Sequence, residues 1–284
     1  MTEEPNPSHP SRSPLADSIL ARIDRGWDAL EQGYIEEAGE DAETLMEETD
    51  DHPEARFLFG AALLESGFPR EALSQLTECR GQVDDGVLLD YYLASGHYEN
   101  LELEQAETLF RKVIQAEPEA APPHYGLAQV LELMGRLSDA EGSYERAHEL
   151  EPDAYPLPIR MTDDAFEAIV AEAVEHLPDE LKPHAAAIPI RVESLPTVET
   201  LLGDGSDNPI TPGVLGLFVG PSLKESDEVA GLSVPPVIFV YQRNLERFCQ
   251  TREELIYEIR LTLYHEFGHY LGLSEEDLEE RGLS

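Results

Sequence analysis

The chain has 284 residues and 59 acidic against 19 basic side chains, a formal charge of −40, with three lysines in all. That length holds about two hydrophobic cores, and so negative a surface repels phosphate backbones and anionic lipid heads, which excludes nucleic acid and membrane surfaces as expected partners. No apolar run approaches the roughly 20 residues that span a bilayer, and residues 1–14 lack the basic cluster and apolar stretch of a secretory signal, so export by that route is not expected. Cys79 and Cys249 lie outside any paired-thiol motif, so a cytoplasmic protein with two reduced, packed thiols is expected.

Residues 1–16 are polar and rich in proline and serine and are expected to form a disordered tail. A period of 34 residues then governs the chain. Gly33, Gly67, Leu101 and Gly135 fall in one frame, as do Ala38, Ala72, Ala106 and Ala140. Phe110 and Tyr144 follow their alanines by four, Pro118 and Pro152 by twelve, and Gly60 and Ala94 precede theirs by twelve. Small residues at fixed offsets let two antiparallel helices approach closely while aromatic residues fill the gap to the next pair. The pattern, as in Leu133–Ala140 and Leu64–Ala72, resembles the tetratricopeptide repeat over residues 17–155, in about four copies. Arg25 and Leu101 occupy places where that pattern usually has an apolar residue and a glycine. The resemblance implies an all-α solenoid with a concave surface that binds a protein or peptide. Gripping a carboxylate terminus needs a Lys/Arg/Asn cluster, whereas this half is dominated by Asp and Glu. A basic or amphipathic segment is therefore the expected partner, with docking on the chain's own C-terminal half as the plainer role for the array.

Pro156 and Pro158 break the helical pattern, and a second domain is expected over 156–284. Asp163 or Asp164 is expected to cap a helix over 165–176 with Phe166, Ile169, Val170 and Ala173 on one face. Strands are expected at Ile188–Val192, Val214–Val219 and Val237–Tyr241. The acidic stretch 203–209 reads as a turn, its glycine placement being wrong for a calcium loop. Thr251 and Glu254 form a capping-box pair that opens a long helix with Leu255, Ile259 and Leu263 as its buried stripe, and Gly272 ends it.

On this helix His265 and His269 stand one turn apart, so their imidazoles share a face and can bind one tetrahedral ion. Glu266 projects about 100° away and is free to act as a general base on water. His97, His124, His176 and His184 have no partner at ligand spacing. Tyr241, Tyr264 and Tyr270 are candidate hydrogen-bond donors to an oxyanion, with core packing as their plainer role.

The run His265–Asp277, with Val214–Gly220 and Val237–Tyr241 upstream, resembles the small bacterial zincin-like family called minimal zincins, over residues 160–284. That family's pattern is HExxHxxGxxD. His265, Glu266, His269 and Gly272 match, while Glu275 stands where the pattern has aspartate. The resemblance implies an α+β zincin-like fold, one zinc ion held by His265, His269 and Glu275, with Asp277 as the alternative third ligand, and Glu266 as base of a metallopeptidase. An extended substrate would pair along an edge strand, with Leu215, Gly216, Leu217 and Phe218 as the candidate edge. The alternative, from another class, is an adaptor whose repeats bind while the zincin-like part is inactive.

Overall fold

The computed structural model of the protein describes residues 15–203, 209–223 and 235–279, the side chains of Glu275 and Glu279 excepted. Residues 1–14 of the expected tail and 204–208 of the expected turn lie outside these residues. No helix among them is long and apolar enough to cross a membrane. The chain divides into two compact units, Met1–Asn100 and Leu101–Ser284.

The first unit consists of α1 (Asp17–Glu31), α2 (Ile35–Glu48), α3 (Pro53–Glu65), α4 (Pro69–Glu78) and α5 (Gly86–Glu99). The frame glycines make its turns. Gly33 and Gly67 both adopt φ 81°, and the residue after each donates back into the preceding helix, Tyr34 N to Ala29 O at 2.9 Å and Phe68 N to Leu63 O at 2.9 Å. These are left-handed helix ends that favour glycine. The frame alanines Ala38 and Ala72 are fully buried. At Gly60 a Cβ would lie 2.8 Å from Leu76 Cδ2, so the hydrogen there is what lets α3 and α4 touch. Ile23, Ala42, Leu45, Ala55 and Leu58 form one core, and Trp27, Phe57 and Tyr92 meet beside it with centroids 4.9 to 5.9 Å apart.

The second unit continues the 34-residue frame in α6 (Leu103–Ala116), α7 (Ala121–Leu133) and α8 (Leu137–Leu150). Ala106 and Ala140 are again fully buried. Gly135 turns at φ 76°, and Leu101 adopts φ 61° without being glycine. So the repeat geometry holds where its usual residue is missing.

After α8 the chain runs irregularly to α9 (Asp163–Glu175). Thr162 caps α9 by accepting from Ala165 N; Asp163 and Asp164 sit in its first turn, where their charges meet the positive end of the helix dipole. The remaining elements are α10 (Lys182–Ala185), β1 (Ile190–Glu193), α11 (Val198–Leu202), β2 (Gly216–Val219), β3 (Val237–Tyr241), α12 (Gln242–Phe248), α13 (Arg252–Tyr270) and α14 (Glu275–Glu279). Two strands begin two residues later than their apolar runs. Pro189 has no N–H to give a ladder, and Val214 closes a turn on Thr211 O.

The sheet order is β1-β3-β2, with β1 parallel and β2 antiparallel to β3. Helix α13 lies across it, and Phe166, Ile169, Val240, Leu255, Ile259, Leu263 and Phe267 close the core between α9, α13 and the sheet. The small mixed sheet with its helices is the α+β part expected from the sequence.

Helix α7 meets α12 through ions. Glu132, whose side chain is fully buried, accepts from Arg160 at 2.9 Å, Arg243 at 2.8 Å and Arg247 at 2.9 Å, and from the Tyr144 hydroxyl at 2.9 Å. Glu246 takes a second Arg160 nitrogen at 3.2 Å, and Glu141 contacts Arg160 and Arg243. Three guanidiniums thus face three carboxylates, and their formal charges cancel. Arg247 also donates to Asn244 Oδ1, and Asn244 Nδ2 donates to Pro212 O and Val214 O at the entrance to β2.

Candidate metal centre

Helix α13 starts on the expected capping box: Glu254 N donates to Thr251 Oγ1 at 3.1 Å, and Thr251 N donates to Glu254 Oε2 at 3.2 Å. Its C-terminal turn carries the histidines. Nε2 of His265 and Nε2 of His269 lie 2.9 Å apart, with ring planes at 81°. Two imidazoles on one tetrahedral zinc ion hold these nitrogens about 3.3 Å apart, so the rings converge as a shared ion requires, after a small opening. The pair fits two of the ligands of such an ion.

Glu266 is buried, 5% exposed, and Oε2 accepts from Phe218 N at 2.6 Å. Tyr241 N donates to Leu215 O, and antiparallel alternation then turns the N–H groups of Gly216 and Phe218 away from β3. Strand β2 is an edge of the sheet among the described residues. The carboxylate of Glu266 therefore sits on the free side of this edge.

The strand comes this close because Gly216 has no side chain. A Cβ there would lie 2.4 Å from Thr262 Cγ2, 3.1 Å from Phe239 O and 3.3 Å from Glu266 Cγ. Gly268 plays the same part on the far side of α13, where a Cβ would meet Leu278 Cδ2 at 2.4 Å and so displace α14. Gly272 turns at φ 80°, with Leu273 N on Gly268 O and Gly272 N on His269 O. This sharp helix end returns the chain toward α13, as the spacing of the downstream acids requires.

The two candidates for third ligand differ. Glu275 opens α14, and its side chain lies outside the described residues. Ser274 caps that helix by accepting from Asp277 N at 3.2 Å, and Asp277 Oδ2 accepts in return from Ser274 N and Ser274 Oγ at 3.0 Å each. Among the described residues no group of three His, Cys, Asp or Glu side chains is poised to hold a metal ion.

Of the tyrosines, Tyr241 is fully buried on β3, and burial pushes its hydroxyl far above the usual value. Tyr264 accepts from Arg260 at 3.2 Å. Tyr270 packs between His184 and Phe218, with centroids 5.6 and 5.8 Å away. Cys79 and Cys249 are buried free thiols, both pushed up to about 12 by burial. A groove of about 320 Å³ runs from His265 and Glu266 past Gly216. Sequence reading missed Gly216 as a packing position and Glu132 as an anchor. The single acidic side chain of α7, set between Leu131 and Leu133, was the legible sign of the second.

Repeat helices joined to a small α+β part bearing a histidine pair define the class: a helical-repeat chain with a zincin-like domain. Residues 185–283 match the family model for zincin-like metallopeptidases, and residues 93–158 match that of the tetratricopeptide repeat. No curated protein matches the chain. Similar solved structures include MamA, 41 to its end, from Desulfovibrio magneticus RS-1, at 18% identity over 49% of this chain and 78% of that one, TM-score 0.41. They also include YrrB, a TPR protein with an unusual peptide-binding site, at 17% identity over 48% and 72%, TM-score 0.40.

Proposed function

We propose that the protein is a cytoplasmic zinc-dependent peptidase whose repeats, over 17–155, bind the protein substrate or a partner, while 156–284 carries the catalytic site. The observation that carries this reading is the convergence of His265 and His269 Nε2 atoms at 2.9 Å beside buried Glu266, at the free edge of β2. In this reading His265 and His269 hold the ion with Glu275 as third ligand, or Asp277 if the Ser274 cap opens. A zinc ion held there supplies polarisation of the scissile carbonyl and a lowered pKa for water. Glu266, steadied by Phe218 N, takes the proton from the attacking water and passes it to the leaving amine. An extended peptide pairs with the outward N–H and C=O of Gly216 and the C=O of Phe218, the Phe218 N–H being held by Glu266, which fixes its carbonyl against the histidine pair.

A second reading, a repeat adaptor with an inactive zincin-like part, draws on the commitment of Asp277 to its helix cap. Elemental analysis of tag-free protein separates the two. The peptidase reading expects near-stoichiometric zinc that is lost in His269→Ala, and peptide cleavage that Glu266→Gln abolishes while metal content stays unchanged. Absence of zinc even after reconstitution would favour the adaptor.

A further inference from the structure

Helix α13 presents more than metal ligands to the groove. Glu258, Leu261, Thr262 and His265 follow one another at intervals of three, one and three residues, so they share one face of the helix. Seven residues from Glu258 to His265 span about 10 Å along the axis. The opposite wall is Val214 and Leu215 leading into β2, and Phe248, 63% exposed at the end of α12, closes the side. The walls are therefore apolar, and they carry one carboxylate at the end away from the histidines.

That carboxylate is half-buried and has no hydrogen-bond or ion-pair partner among the described residues. Burial, first, and the neighbouring charge of Glu254 both raise its pKa. A peptide lying along β2 advances about 3.4 Å per residue. A long side chain one or two residues from the cut bond thus reaches the far end of the groove.

We propose that this groove is a subsite for a basic residue of the substrate, lysine or arginine, whose aliphatic stem lies on Leu215, Leu261 and Phe248 and whose charge meets Glu258. The subsite rests on the peptidase reading for its place beside a scissile bond, but its ligand preference is measurable without cleavage. An apolar trench ending in one half-buried carboxylate matches a side chain with an apolar stem and a cationic head.

The test uses the full chain as Glu266→Gln, with zinc added, and three fluorescein-labelled octapeptides identical except for a central lysine, norleucine or glutamate. Fluorescence anisotropy is expected to give about tenfold tighter binding of the lysine peptide than of the norleucine peptide. Adding Glu258→Gln should collapse that ratio, and Glu258→Lys should reverse it in favour of glutamate. Leu261→Arg, which places a cation in the trench, should abolish the lysine preference as well. Glu253→Gln removes one charge from an exposed position of the same helix and should leave the ratio unchanged. A lysine preference that persists in Glu258→Lys, or that falls equally in Glu253→Gln, overturns the subsite, as does the absence of any preference. Cleavage by the chain with Glu266 intact is read separately. Glu258-dependent binding without cleavage would sink the peptidase reading and support the subsite, whereas cleavage indifferent to lysine would do the reverse.

Discussion

Leu101 holds φ 61°, the conformation that Gly33, Gly67 and Gly135 supply at the other three frame positions. A non-glycine residue there is strained by roughly 1 kcal/mol, because Cβ crowds the following carbonyl. Leu101→Gly is expected to raise stability by up to about 1 kcal/mol, less the extra freedom glycine brings to the unfolded chain. A urea titration measures this, and a lowered midpoint would mean that the side chain's contacts outweigh the strain. Gly216 is the opposite case, where a side chain is unaffordable. Gly216→Ala should cost about 1–3 kcal/mol by overpacking, and Thr262→Ser, which removes the methyl 2.4 Å away, should recover part of it in the double variant. Failure of that rescue in thermal melts would place the strain on Phe239 O instead.

At the scale of elements, the repeats were legible because their signal is periodic. A 34-residue frame survives the loss of a single member, as Leu101 demonstrates. The capping box of α13 and its histidine pair were legible because both depend on neighbours in sequence. What escaped was long-range. Glu132 meets Arg243 and Arg247 across 111 and 115 residues, and no local pattern distinguishes these arginines from solvated ones. Likewise Gly216 reads as an ordinary strand residue until α13 is laid against it. Glu132→Ala leaves guanidiniums facing one another at a buried site and should cost about 3–5 kcal/mol. Glu119→Ala, which removes an exposed partner of Arg146, should leave the urea midpoint unchanged. Equal effects of the two variants would show that the cluster does not hold α7 to α12.

For the whole molecule, the dominant quantity is its negative charge. Glu54 is raised above its ordinary value of 4.5 by burial and by the charges of Asp84 and Asp85, against the lowering hydrogen bond from Asp84 N; Glu258 is raised by burial and Glu254. For such groups the native state holds protons more tightly than the unfolded one. Their protonation therefore contributes stability that is fully present below 4.5 and lost as pH rises through the raised native values. The Glu54→Gln/Glu258→Gln variant should accordingly gain melting temperature relative to the parent at pH 7 and not at pH 4.5. A difference constant across that window would contradict the assignment.

The ionic joint on Glu132 bears on how such a chain can be cut and recombined. The prolines after α8 invite a truncation that would keep only 156–284, yet that piece would carry Arg160, Arg243 and Arg247 without Glu132, the buried carboxylate all three share, and without Glu141. A transplantable zincin-like fragment therefore has to begin upstream, taking α7 and α8 with it. Grafting 156–284 alone onto a foreign repeat array would instead require that array to end in a helix pair with a glutamate at the place of Glu132. The last repeat is in this sense inherited with the zincin-like domain, while the earlier ones are open to exchange.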